Sequence, residues 1–214
     1  MTLCRKVQGV EFQQALADLA EVRGRLATEQ RFDGYSGWAA ISSGVVAVVA
    51  GLAQGLFDPH PRSAPQISFY LFVWLSCLGV ALAINYGAIL AWRARHRDSQ
   101  SLAQMRTVGW TILPAVAAGG VMTAALIGRG LYTLLPGMWC ATYALGLFAS
   151  RSMVPRDVVY VAVAFGVCAT ALLLVPQIDV LAWWIMPLAF GCGQIVIGLL
   201  VRARPEDEQR EGAA

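Results

Sequence analysis

Charge is what this chain has least of. Only 14% of its 214 residues are Asp, Glu, Lys or Arg, against roughly 25% in soluble domains. The deficit is local. Six windows, Gly37–Phe57, Ser68–Trp92, Val108–Gly128, Leu131–Ser150, Val158–Val175 and Val180–Val201, contain no Asp, Glu, Lys, Arg or His. Proton-coupled pumps need buried ionisable groups, so these windows count against one. Ser42, Ser43 and Gly44 look like a protease nucleophile motif, but no base stands in any window to activate the serine. Histidine is scarce as well. His60 and His96 fall in connections on opposite sides of the windows and cannot share a haem or zinc. There are five cysteines, Cys4, Cys77, Cys140, Cys168 and Cys192, with no C-x-x-C and none in an outer connection. A disulfide framework is excluded. No glycine loop of phosphate-binding type occurs. The chain is therefore expected to have no enzymatic activity and no cofactor.

What is present is hydrophobic length. A helix rises ~1.5 Å per residue, so about 20 apolar residues cross a ~30 Å bilayer core. No segment shows the alternation of a lipid-facing strand, and backbone groups in hydrocarbon must be satisfied within the segment, which leaves helices. The sequence predicts an all-α polytopic membrane bundle of six transmembrane helices, arranged as three antiparallel hairpins. Segments 1–36, 93–107, 151–157 and 202–214 hold 14 of the 16 Lys and Arg residues, and Arg62 and Arg129 are the other two. Positive charge stays cytoplasmic, so both termini are expected on the cytoplasmic side of the membrane. Trp38, Trp92, Trp110, Trp183 and Trp184 stand near window ends, where aromatic belts form. The first 34 residues lack the apolar core of a signal peptide. The net charge of +3 is spread over cytoplasmic loops facing the anionic leaflet, and no nucleic-acid partner is expected.

Three regions follow: residues 1–36, a cytoplasmic amphipathic helix and junction; 37–201, the transmembrane domain; and 202–214, a charged tail expected to be disordered. In the first, Phe12, Leu19 and Leu26 fall seven apart, with Ala15 and Val22 between them. Residues 10–31 so form a short apolar seam. The seam fits the protein's own membrane domain or the lipid surface, or a cytoplasmic protein partner or second copy. Small residues let helices approach in lipid. Ser43, Ala47, Gly51 and Gly55 make such a stripe in the first window, and Gly120, Ala124 and Gly128 in the third. Both are expected to pack within the chain. Pro114, Pro136 and Pro187 each stand near the second turn of a window and are expected to kink it.

Two sets of residues are candidates for a site. The three return helices end alike, and alignment on Arg93, Arg151 and Arg202 places Asn85, Tyr143 and Gln194 eight residues earlier. Eight helical residues span ~12 Å, so the three share one depth, slightly cytoplasmic of the midplane. They make either an intramembrane polar layer with a ligand pocket or plain interhelical hydrogen bonds. Cys140, Cys168 and Cys192 also share a depth, either as soft-metal ligands of the kind that suits Cu(I) or as small apolar packing residues.

The stretches "LATEQRFDGYSGW" (26–38), "LYTLLPGMW" (131–139) and "AFGCGQIVIGLL" (189–200) resemble a family of uncharacterised bacterial integral membrane proteins. The resemblance implies a short N-terminal cytoplasmic helix, six spans, and a gene beside that of a winged-helix transcriptional regulator. It supplies no activity or ligand. In that family the last motif often carries His where this chain has Gln194, which puts a His-dependent metal or haem role in doubt here. The function expected is that of a regulatory, sensory or scaffolding membrane component. The alternative is a transporter or channel for a small neutral solute or soft metal ion.

Overall fold

The computed structural model describes residues 36–95, 99–151 and 154–211. The amphipathic segment 10–31 and Cys4 lie outside them. The described residues are helical, with no strand among them. Helix α1 is Gly37–Phe57, α2 Ala64–Arg95 and α3 Ser99–Gly128. A 3-10 turn, Tyr132–Leu134, leads into α4, Leu135–Ala149. Then come α5, Val158–Leu174, a π-helical turn, Pro187–Cys192, and α6, Gly193–Glu211. Within these, Gly37–Phe57, Ala64–Arg95 and Gly109–Gly128 are long and apolar enough to cross a membrane.

The ends have local causes. Ser36 caps α1, its Oγ accepting from Ala39 N at 3.3 Å, which satisfies one of the free N–H groups of the first turn. Ser63 and Gln66 make half of a capping box at the start of α2, Gln66 Oε1 accepting from Ser63 N at 2.9 Å. The α3–α4 turn is a Schellman motif: Leu131 N bonds Leu126 O, and Gly130 N bonds Ile127 O. It requires a left-handed residue, and Gly130 supplies φ 71°. Pro136 sits in the first turn of α4, where its missing N–H costs nothing. Pro114 lies inside α3, and Pro187 opens the π turn.

Neighbouring helices run in the order α2, α1, α6, α5, α4, α3. The first and last helices are therefore adjacent. They close on glycines seven apart: β-carbons at Gly37 and Gly44 would stand 2.6 Å and 2.7 Å from the carbonyl oxygens of Gly198 and Gly191. One core cluster joins α1, α2, α4, α5 and the turns before α6, through Ala47, Tyr70, Trp74, Cys140, Phe165 and Ile185. Helix α3 leans on this core from outside. Among its described side chains Leu126 is buried, and it meets Leu135 and Met138.

The structure departs from the sequence reading in three places. The small-residue stripe of α1 packs as expected, Gly51 on Pro187 and Gly55 on Trp183. That of α3 does not. Gly120 and Gly128 meet nothing within 4 Å, whereas Gly119 faces Thr142, and Ala115 faces Gly146. The packing face is rotated by one residue, ~100° of helix, because Thr123 on the Ala115–Gly119 side accepts the Trp139 indole N–H at 2.9 Å. Second, Val180–Trp184 is a run of turns rather than the first part of a helix. Its backbone is bonded from outside, Trp183 N to Pro59 O at 3.1 Å. Third, α6 continues to Glu211 through residues read as a disordered tail. At its start the Arg202 guanidinium lies 3.9 Å from the Trp38 ring, a cation–π contact that ties this turn to α1.

Candidate functional site: buried polar pairs and a thiol pair

Apolar helices can keep a carboxamide only where its donors and acceptors find partners, since a bare amide in hydrocarbon costs a few kcal/mol (~2–7). Asn85 finds one partner on α1 and one in its own helix. Its Nδ2 donates to Ser43 Oγ at 2.7 Å and to Ala81 O at 2.9 Å. Ser43 is buried and donates in turn to Ala39 O. Gln194, on α6, donates to the Tyr143 hydroxyl on α4 at 2.6 Å. Phe165 and Phe190 wall this second pair, with ring centroids 4.7 Å and 5.4 Å from that of Tyr143.

The three aligned residues are thus divided between two pairs. Asn85 turns toward α1, while Tyr143 and Gln194 meet between α4 and α6. Gly44, next to Ser43, packs against Gly191 and Ile195, which flank Gln194. Ser43 entered the sequence reading as a small packing residue, and its hydroxyl is what draws Asn85 away from the other two.

Gln54 is the polar residue that sequence reasoning passed over. It is fully buried. Its Nε2 donates to Leu181 O at 2.9 Å, and its Oε1 accepts the Trp74 indole N–H at 2.8 Å. One side chain so joins α1, α2 and the turns before α6. The signal was available: a carboxamide in a charge-free window is the same anomaly as Asn85. Above it, at the same end, His60 Nδ1 lies 2.8 Å from Asp179 Oδ2, a half-exposed pair linking two connections.

The cysteines divide too. Cys140, on α4, is buried in the core, and Cys168, on α5, packs against the same cluster. Cys192 is exposed and borders the same groove as Cys168. Among the described residues no three Cys, His, Asp or Glu side chains form a metal-binding group. The Tyr70 hydroxyl is fully buried and has no hydrogen-bond partner.

No family model, curated protein or solved structure matches the chain.

Proposed function

We propose that the chain is a six-span protein of the bacterial inner membrane, with both termini cytoplasmic. It acts as a regulatory, sensory or scaffolding component through residues 10–31 and the cytoplasmic connections. Three helices have the length and composition of spans. The 15 residues of α4 and 17 of α5 give ~23 and ~26 Å. Bilayer thinning takes up the shortfall at a fraction of a kcal/mol per Å. The asymmetry of Lys and Arg supports the orientation. The resemblance to a family of six-span proteins with an N-terminal cytoplasmic helix agrees with it.

One observation carries the functional reading. Each carboxamide nitrogen inside the helices is spent on a neighbouring helix or turn: Gln54 on Leu181, Asn85 on Ser43, Gln194 on Tyr143, with Gln194 Oε1 and the Tyr70 hydroxyl buried and without a partner. Such bonds hold helices in register. A pathway for a polar solute needs polar groups that turn to face it. The apolar seam read from the sequence of residues 10–31 is then the candidate contact. A photo-crosslinker at Leu19 in native membranes should capture one discrete cytoplasmic protein or a second copy. Proteoliposomes should swell in glycerol or urea no faster than empty ones. Accelerated swelling, with no crosslink, replaces this reading by neutral-solute transport.

A further inference from the structure

Helix α5 packs closely along α4 and much more sparsely along α6. On the sparse side a groove of about 830 Å³ runs between α5 and the stretch from Trp184 to Val196, within the ~300–1,000 Å³ typical of small-molecule sites. Its α5 wall is one helix face, with Val161, Ala164, Cys168 and Leu172 three or four residues apart. The short side chains of Ala164, Ala171 and Ala189 leave the space unfilled. From Tyr160 to Leu172 the wall is ~18 Å long, against ~15 Å for one leaflet of a ~30 Å core. Tyr160 and Leu188 on the rim are exposed. The lining changes character where α5 stops, with Gln177, Asp179 and Trp184 all at that end. Asp179 is the charged residue of the lining. Its side chain is half-exposed, and His60 Nδ1 lies 2.8 Å from Oδ2, which leaves Oδ1 open to a donor from outside.

We propose that the groove seats one acyl chain of an outer-leaflet phospholipid with a primary-amine headgroup, whose ammonium donates to Asp179. This rests on the six-span reading, which sets the rim against lipid and the polar end outside. Three features select the occupant. The wall is apolar and long enough for a whole acyl chain, and its open rim lets the chain enter while the headgroup stays at the interface. The charge at the mouth is an accessible carboxylate, and an ammonium bonded to it makes a charge-assisted hydrogen bond. Trp184, exposed at the same end, supplies an indole of the kind that sits at membrane interfaces and attracts cations to its ring face. Other occupants fit less well. A polar solute finds few hydrogen-bonding groups along the wall. A fatty acid or an anionic phospholipid brings negative charge to Asp179 without an ammonium. Once seated, the lipid supplies the packing that α5 and α6 do not give each other.

The test uses the full chain, stripped of lipid in a mild detergent. The probes are palmitoyl-oleoyl phosphatidylethanolamine and the phosphatidylglycerol with the same chains. Native mass spectrometry should show one phosphatidylethanolamine held per chain, about tenfold or more tighter than phosphatidylglycerol, the difference one hydrogen bond to a charged group makes. Asp179→Asn keeps an oxygen for His60 and removes the charge, so it should bring the two lipids to equal affinity. Asp179→Glu should restore the preference. Ala164→Phe, at an exposed position on the wall, should abolish retention of both lipids. A diazirine in the acyl chain should label peptides covering residues 161–172 and 188–196. Each variant is first shown to elute as a single species. Equal affinity of the two lipids for the unaltered chain, a preference that survives Asp179→Asn, or retention untouched by Ala164→Phe would overturn the proposal. A chain that alkaline carbonate releases from membranes fails the six-span reading. A chain that stays inserted but holds no lipid fails this proposal alone.

Discussion

Pro187 lies directly on Gly51, so that a β-carbon on the glycine would overlap the proline ring. The contact is ring against backbone, and neither side can turn away. Gly51→Ala should therefore cost about 1–3 kcal/mol or more, the range for overpacking a filled interior. Gly120→Ala should be neutral or stabilising by up to ~1 kcal/mol through helix propensity, because nothing lies within 4 Å of that position. The unfolding midpoint in graded SDS measures both. Equal losses would refute the assignment of packing faces.

Gln54→Leu should strand the Trp74 indole N–H and the Leu181 carbonyl at once. Each abandoned buried group costs about 1–3 kcal/mol. Adding Trp74→Phe to Gln54→Leu should recover part of the loss, since the second partner then has nothing to satisfy. A double-mutant cycle on the same unfolding assay reads the coupling. Zero coupling would mean that the indole finds another acceptor.

Two further cycles distinguish separate pairs from one layer. Ser43→Ala with Asn85→Leu, and Tyr143→Phe with Gln194→Leu, should each couple by about 0.6 kcal/mol, the average for hydrogen bonds between membrane helices. Asn85→Leu with Gln194→Leu should be additive within ~0.3–0.5 kcal/mol. Strong coupling across that third pair would restore the single polar layer of the sequence reading.

Topology is testable with single cysteines at Ser63 and Ser99 in a chain whose native cysteines are replaced. A membrane-impermeant maleimide applied to intact spheroplasts should label Ser63→Cys and not Ser99→Cys. Inverted vesicles should give the opposite result. Labelling of both from one side would end the six-span reading.

Tyr70→Phe should leave stability unchanged or raise it, as it removes a buried hydroxyl that has no hydrogen-bond partner. The unfolding midpoint checks this. A loss above ~1 kcal/mol would mean that the hydroxyl is bonded in the folded protein.

Helix positions were legible in the sequence because hydrocarbon tolerates no charge, and the charge-free windows mark the apolar runs directly. The first window coincides with α1, Gly37–Phe57. Rotational phase was not legible. Gly119 and Gly120 are equally small, and it is Thr123, through the Trp139 indole, that selects the Gly119 side. Residues 180–184 read as helix because they are apolar. Their turns are held by Gln54 and Pro59, more than a hundred positions away in the chain, which no local pattern reports. The site shows the same division. That Asn85 and Gln194 needed partners followed from their chemistry. That Ser43 would be one of those partners required knowing which helices are neighbours.

Of the described helices, α1 emerges first and completes its contacts last. Gln54 waits for Leu181, 127 residues downstream, which at ~5–20 residues per second is about 6–25 s of translation. Throughout that interval the glycine face of α1 has no α6 to cover it, and lipid must stand in. A ribosome that stalls before α6 therefore releases a chain whose buried amide and glycine seam are open, in a form that membrane quality control can recognise. The closing of the first helix on the last makes completeness of synthesis a condition of folding.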